Sequence, residues 1–337
     1  MLRRVVSAVV LVALAIALLV GTWPQLFGLE RAPVVAQFVS LRGLTIAISA
    51  VAIVALLLLA MVSRSFRRFG SSVALVLLVF ALAGVAILSS RGFGDGSFQT
   101  KGASDITVVE WNTLGDAPGA GAIAKLAIDN DAQLVSLPET TEQTADAVAA
   151  LMRAAGHPMA VHSIAFNHIA RAKSTSVLVS TRLGGYHVDT STGSTSTLPT
   201  VVLRPDTGAG PVIVAVHAVA PDPSQLVLWR SDLAFLTTAC SEPNVIMAGD
   251  FNSTLDHLTG LGSSSADTIG HCADAAQATK NAAVGTWPAL LPALLGAPID
   301  HVMTTSNWRV SGMRVVQDRD EAGSDHRPIV VQLSPAR

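Results

Sequence analysis

Apolar positions follow two regimes along this chain. Up to about residue 90 they are nearly unbroken, in three runs: Val5 to Val20, Leu44 to Val62 and Val73 to Leu88. None of the runs carries a charge. At about 1.5 Å per residue the second is long enough to cross a bilayer. The third is slightly short, but flanking Ser and Gly can extend it. No amphipathic stripe marks any of them as a surface helix of a soluble domain. The pattern predicts three transmembrane helices at about 5–20, 44–62 and 73–88. For the first run a cleaved signal peptide is the alternative, because MLRR precedes it, although no clear A-x-A site follows.

Beyond a Gly- and Ser-rich stretch at 89–104 the runs shorten and alternate with helical spacing. The expected organisation is a membrane region over 1–90, a linker over 91–104 and an outer domain over 105–337. Strands are expected at 106–112, 134–137, 176–180, 186–189, 201–204, 212–219, 244–248, 299–304, 308–316 and 329–333. Helices are expected at 119–130 and 141–155, with a third capped by Ser224 and running to about Cys240, its Leu228, Leu233, Phe235 and Leu236 turned inward. Residues 254–296 read as mostly loop and helix. Some strands are wholly apolar and others alternate, and hairpin-like pairs mix with helical crossovers. The fold class is therefore α+β, a sandwich whose sheets are buried on both faces.

Charge divides the same way as hydropathy. Residues 1–101 hold nine Lys/Arg and two Asp/Glu, and residues 102–337 hold 13 and 22, so +7 and −9 sum to the chain's −2. Arg3 and Arg4 precede the first run, and Arg64, Arg67 and Arg68 lie in the short loop before the third. The longer 21–43 connection has only Arg31 and Arg42. The positive-inside rule puts the Arg-rich ends in the cytoplasm and residues 95–337 outside it. An acidic outer domain lacks the broad basic footprint of a nucleic-acid binder. Cys240 and Cys272 both fall in that domain, where a disulfide or two buried thiols are equally open readings, and neither has zinc-site spacing.

Five segments stop on polar groups at expected strand ends: VVEWNTLG, LVSLPET, VAVHAVAP, IMAGDFNS, and the pair APIDHVMT with GSDHRPIVV. Strand ends are where enzymes of these fold classes place their chemistry. Glu139 can ligate a hard cation, or can be an ordinary acid at a helix start. Asn112 can bind metal or phosphate oxygen, or can be a turn residue. In GDFN, Asp250 and Asn252 share one face while Phe251 turns into the core. His326 with Asp300 or Asp325 forms an imidazole–carboxylate pair suited to proton handling. His217 is a second imidazole at a strand end, where a structural role is the alternative. His301 lies on the opposite strand face from Asp300 and stays outside the expected site.

The ordered set WN, L-P-E-T, V-H-x-x-x-P, GDFN, IDH and SDH resembles the endonuclease/exonuclease/phosphatase superfamily, which includes DNase I-like nucleases, inositol polyphosphate 5-phosphatases and neutral sphingomyelinases. The match runs from about 105 to 333. The resemblance implies a four-layer α/β/β/α sandwich of DNase I type, preceded here by the three membrane helices. It implies Mg²⁺, with Mn²⁺ as a substitute, held by Glu139 with Asn112 and with Asp325 nearby. It further implies Asp250 and Asn252 as the residues that place water and phosphoryl group, His326 as the catalytic imidazole with Asp300 as its orienter, and His217 as a second imidazole on a phosphoryl oxygen. Two features depart from the family. Pro138 stands where Gln is usual, and no acid partner for His217 is identifiable in 157–190. The stretch GTWPALLPA (285–293) is similar to one that precedes the IDH strand in membrane-attached bacterial members.

These readings imply a multi-pass membrane protein with an extracytoplasmic, metal-dependent phosphoesterase domain acting on a phosphodiester or phosphomonoester. The expected partners are the bilayer and a lipid or nucleic-acid phosphoester, with no protein partner. An extracellular DNA or RNA nuclease using a local basic strip at Arg171, Lys173 and Arg204 is one alternative. A non-catalytic envelope binding protein on the same fold is another.

Overall fold

The computed structural model describes residues 1–94 and 96–336, with Arg3, Arg64 and Ser65 described in backbone only. Asp95 of the expected linker and Arg337 of the expected outer domain lie outside the described residues. The N-terminal region comprises α1 (Leu2–Thr22), a 3₁₀ turn at Pro24–Phe27, a short α2 (Val35–Ser40), α3 (Arg42–Val62) and α4 (Arg64–Arg91). Among the described residues three helices, α1, α3 and α4, are long and apolar enough to cross a membrane. α4 outruns the expected 73–88 at both ends because backbone hydrogen bonding, unlike hydropathy, carries through Arg67 and Arg68. Ser63 caps it by accepting from the Phe66 N–H at 3.4 Å. Met1 and Arg4 line one groove with Ser63 and Arg68, so these termini share an end of the bundle. The opposite end carries the 23–41 connection and Arg91, and the outer domain sits on it.

The outer domain opens with β1 (Ile106–Glu110), α5 (Gly119–Asp129), β2 (Leu134–Pro138), α6 (Glu142–Ala154), β3 (Met159–Ala165) and β4 (Ser174–Ser180). It continues with β5 (Tyr186–Val188), β6 (Val201–Pro205), β7 (Val212–His217), α7 (Leu226–Ala239), β8 (Val245–Asp250) and α8 (Leu255–Leu258). Short β9 (Leu261–Gly262), β10 (Ile269–Gly270), β11 (Ala273–Asp274) and α9 (Ala275–Ala278) lead to β12 (Asp300–Thr304), β13 (Trp308–Val315) and β14 (Ile329–Pro335). Two six-stranded sheets result, in the orders β13-β14-β1-β2-β4-β3 and β11-β12-β8-β7-β6-β5.

Alternation along the strands explains the layering. Val108, Val177 and Val179 of the first sheet meet Leu203, Ala215 and Ala248 of the second in a shared core. The intervening Val109, Val135 and Leu178 pack beneath α5 and α6, while Val214, Val216 and Met247 pack beneath α7. This is the α/β/β/α sandwich. The structure departs from the sequence reading in several places. β3 was not anticipated, because its half-buried HSIA stretch lacks a clean apolar run. Ser224 does not cap α7, which starts at Leu226 after Gln225 with no side-chain cap. Leu228 points out at 41% exposure, and Trp229 takes the buried position. Phe98 bridges to Gly312 and the Gln99 N–H donates to the Ser311 carbonyl at 2.8 Å, so the expected linker is laid along β13. Cys240 and Cys272 are disulfide-bonded, tying the end of α7 to the β10–β11 turn.

Candidate active site

Strand register brings the chemistry together. Asp250 pairs with Asp300 across the antiparallel β8–β12 ladder and with His217 across the parallel β7–β8 ladder. The ends of β1 and β2 in the other sheet bring Asn112 and Glu139 to the same edge. Gly249 makes the approach between β7 and β8 workable, since a Cβ there would lie 2.0 Å from the Val216 carbonyl oxygen. Two site residues, Glu139 (φ 57°) and Asn252 (φ 46°), hold left-handed backbone. For non-glycine residues this conformation is uncommon and occurs preferentially at functional turns.

Asn112 joins the two sheets. Its Nδ2 donates to Glu139 Oε1 at 3.2 Å and to Asp250 Oδ2 at 3.1 Å, while its Oδ1 accepts from the Leu114 N–H. A cation held through the Asn112 oxygen therefore requires the amide to turn over, an assignment made by the hydrogen-bond network. Asp250 also accepts from the Asn252 N–H at 2.8 Å and from Asn252 Nδ2 at 3.1 Å. Asn252 Nδ2 donates in addition to the Ala218 carbonyl. His326 Nδ1 lies 2.9 and 3.1 Å from the two Asp300 oxygens, and its Nε2 faces Asp250 at 3.9 Å and Asp325 at 4.0 Å. The Ser324 hydroxyl donates to the Asn112 carbonyl and accepts from the His326 N–H, and Trp111 Nε1 donates to the His326 carbonyl. The WN and SDH segments are thus laced together.

His217 is fully buried. Its Nδ1 meets the Thr175 hydroxyl at 3.3 Å, and its Nε2 lies 3.8 Å from Glu139 Oε1 with no hydrogen-bond partner. A hydroxyl stands where an acid was sought in sequence. Asp325 is at the edge of the cluster, its Oδ2 accepting from Trp287 Nε1 while its Oδ1, facing His326 Nε2, has no hydrogen-bond partner. His301, left outside the expected site, is bound between Asp274 and the Ser253 carbonyl. The structure thus gathers Asn112, Glu139, His217, Asp250, Asn252, Asp300, Asp325 and His326 at one edge. The basic strip of the nuclease alternative is not continuous. Arg204 is neutralised by Asp189 and Glu242, and it lies toward the far end of β6 from His217.

Glu110 is the residue that sequence reasoning missed. It ends β1 with the parity of Ile106 and Val108, so it points between the sheets beneath the site. It is wholly buried, with no N–H or hydroxyl donor on either carboxyl oxygen and the Asp300 carboxyl facing it. Burial, reinforced by the facing Asp300 and Asp250 carboxylates, raises its pKa well above the ordinary value. The signal was a charge closing a strand whose other residues are Ile, Thr and Val.

The electrostatics are those of a crowded acid cluster. Burial and Asp300 push Asp250 up to about 7, against the opposing His326 charge. Burial pulls His326 down, but Asp300 and Asp250 outweigh it and leave it near about 10. Burial and the His326 charge drop His217 to about 3, so it is neutral. Glu139 is raised by burial despite the Asn112 hydrogen bond. Among the described residues Asp250, Asp300 and His326 offer ligand atoms within 4.8 Å of one another. The carboxylates of this group, with the partly buried Glu139 and an Asp325 Oδ1 that has no hydrogen-bond partner, fit a hard divalent cation, which would offset the clustered negative charge.

The fold is a DNase I-like sandwich, and at its edge lies a buried acid–imidazole cluster with a candidate divalent-metal position. The sequence profile of the Endonuclease/Exonuclease/phosphatase family matches residues 109–326, well over half of the chain, and the chain belongs to that family. Members of the family hydrolyse phosphoester bonds and generally use divalent metals. Comparison with curated proteins finds no match. Among solved structures, a humanized TDP2 from D. rerio is similar at 14% identity and TM-score 0.51, covering 69% of this chain and 100% of that one. D. rerio TDP2 in complex with a single-strand DNA product is similar at 15% identity and TM-score 0.50, covering 68% and 99%. A family member from Bacteroides vulgatus is similar at 15% identity and TM-score 0.50, covering 69% and 99%. At these identities the likeness bears on fold.

Proposed function

We propose that this protein is a membrane-anchored, Mg²⁺-dependent phosphoesterase, with Mn²⁺ as an alternative metal and its catalytic domain outside the cytoplasm. On this reading residues 1–90 anchor, 91–104 connect and 105–337 catalyse. The observation that carries it is the meeting, at one edge between two sheets, of a strained Glu139, the Asp250–Asn252 turn and a carboxylate-held His326. The outward orientation is supported by the Arg-rich helix ends lying opposite the outer domain and by the Cys240–Cys272 disulfide, a bond typical of oxidising compartments.

Each residue then has a role. Glu139 and Asp325, with Asn112 after its amide turns over, would hold the cation, which when bound would supply charge neutralisation and electrophilic activation of the phosphoryl group. Asp250, with its pKa near neutrality, takes a proton from the attacking water, and Asn252 orients that water. His326, kept positive by Asp300, stabilises charge developing on the phosphoryl oxygens or the leaving group. This shifts His326 from the proton acceptor expected in sequence toward an electrostatic partner. Neutral His217 presents its free Nε2 toward a phosphoryl oxygen.

A nuclease reading draws on the similar TDP2 chain bound to a DNA product. The discontinuous basic strip weighs against it. The test is hydrolysis of a panel of DNA, RNA, lipid diesters and simple monoesters by the full chain in nanodiscs, with Mg²⁺, Mn²⁺ or chelator. Glu139→Ala should abolish metal-dependent turnover. Full activity in that variant refutes the metal assignment, and an inert wild type favours a binding role.

A further inference from the structure

One loop belongs both to the active site and to the membrane boundary. α3 is 21 residues long, about 30 Å, which matches the hydrocarbon core. Its first turn therefore marks the edge of that core. There the Leu294 carbonyl oxygen packs where a Cβ of Gly43 would stand, 1.8 Å from that position. The preceding segment follows the end of α4 in the same way. The Ala283 N–H donates to the Gly92 carbonyl at 3.1 Å, and the Gly94 N–H to the Lys280 carbonyl at 2.7 Å. Residues 280–295 thus lie across the outer ends of two membrane helices.

The same loop reaches the candidate site through Asp325. Trp287 Nε1 donates to Asp325 Oδ2 at 2.9 Å, and the Ala289 N–H to the Asp325 carbonyl at 2.7 Å. Arg327, 2% exposed, fixes the loop from beneath by donating to the Ala289 and Leu291 carbonyls at 2.8 and 2.7 Å. On this rigid frame Leu290 is 93% exposed and Leu294 46%, and Phe93 just past α4 is 49% exposed. With Leu291 and Pro292 they line one groove. Trp23, Leu26 and Phe27 leave further apolar surface on the neighbouring helix connection. A rigid loop that exposes large apolar side chains at this depth matches the headgroup–acyl boundary, where such side chains are stabilised.

We propose that the 285–295 loop inserts into the outer boundary of the bilayer, and that the site takes its phosphoester from the membrane surface. The substrate class is an amphiphile whose phosphoester lies at headgroup depth. The substrate half of this proposal rests on the phosphoesterase reading, whereas the insertion half does not.

Both cysteines are disulfide-bonded, so Leu290→Cys gives a unique labelling site. Thr207→Cys, exposed on the β6–β7 turn, is the aqueous control. An environment-sensitive fluorophore at 290 should emit blue-shifted in full-length protein in phosphatidylcholine nanodiscs, and spin-labelled lipid should quench it several-fold more than at 207. Equal emission and quenching at the two positions overturns insertion. Leu290→Asp should lower hydrolysis of a long-chain phosphodiester lipid in phosphatidylcholine vesicles by about tenfold, while turnover of water-soluble bis(p-nitrophenyl) phosphate stays within about twofold. Equal losses on both substrates, or wild-type preference for a DNA oligonucleotide, overturns delivery from the membrane. Absence of hydrolysis on every probe refutes the phosphoesterase reading and the delivery claim together, and leaves the fluorescence result to decide insertion.

Discussion

Replacing Asp256 should destabilise the whole chain and loosen its catalytic turn. Asp256 lies four residues beyond Asn252, in α8, and is 3% exposed. Arg42 at the start of α3 donates to its Oδ1 at 2.9 Å. Arg91 at the end of α4 donates to both oxygens at 2.8 and 3.0 Å, and Gln25 Nε2 lies 3.1 Å from Oδ1. Arg42 is itself 4% exposed, and among the described residues its further partners are the Gly21 and Thr22 carbonyls at 3.5 and 3.3 Å. Asp256→Ala therefore strands a buried guanidinium, a loss of about 3–5 kcal/mol. An apolar double replacement, Asp256→Leu with Arg42→Met, should recover most of that, since it removes both desolvated charges. Burial pushes the Asp256 carboxyl up, but Arg91 and Arg42 outweigh it and hold the group well below the usual carboxylate range. A folded-state pKa depressed below the unfolded 3.8 contributes stability above about pH 4 and loses it as pH falls further. The assay is thermal and denaturant unfolding of the full chain in nanodiscs at pH 7 and pH 3.5, with the two singles and the double as a cycle. A single-variant cost within about 0.5 kcal/mol, as for a solvent-exposed pair, refutes the reasoning.

Divalent metal should raise the melting temperature, and more at pH 8 than at pH 6, because Asp250, free of its proton above about 7, adds negative charge beside the cation that Glu139 and Asp325 would hold, and stays free there to take a proton from water. A metal effect independent of pH would contradict the role given to Asp250. In chelator, stability should fall as pH rises from about 6.5 through about 10, where the raised His326 loses its proton, and His326→Gln should flatten that limb. Glu110→Gln should be more stable than wild type at pH 8 in chelator, since a carboxyl with a raised folded-state pKa costs stability above its unfolded value. Identical pH slopes for the two proteins would exclude it. The Cys240–Cys272 bond closes a segment with separation 32, worth about 3–4 kcal/mol, so Cys240→Ala with Cys272→Ala should lower the denaturant midpoint accordingly. Two titratable thiols in protein purified without reductant would refute the bond.

The sandwich was legible because alternation on strands and uninterrupted apolar runs report burial directly. The strand-end residues were legible as one candidate set because a polar group closes each run, and strand register gathers them at one edge. What sequence could not supply was facing across sheets. Glu110 looks like a solvent-side charge until β12 and β8 set Asp300 and Asp250 against it. The partner of His217 was sought among acids, yet tertiary packing supplied Thr175 from β4. Ser224 carried the right side chain for a cap, but the chain enters its helix two residues later at Leu226. β3 escaped because an edge strand with intermediate burial needs no apolar periodicity.

The N-terminal helical region and the sandwich domain share buried polar groups, which a mere tether would not. His257 Nε2 meets the Ala36 carbonyl at 3.0 Å, its Nδ1 accepts from the Thr254 N–H, and its own carbonyl accepts from Arg31. Ser253, one residue past Asn252, is held by Trp229 Nε1 and, through its carbonyl, by His301. The turn that aims Asp250 and Asn252 is thus fixed on one side by the outer domain's own core and on the other by the membrane region. Cutting the chain near residue 95 would expose Asp256 and His257 and remove Arg42 and Arg91, the two guanidiniums paired with Asp256. An excised domain would then carry a catalytic turn with half its supports missing. Loss of activity in such a fragment would follow from that alone, so the chemistry of this site is to be measured on the full chain in a bilayer.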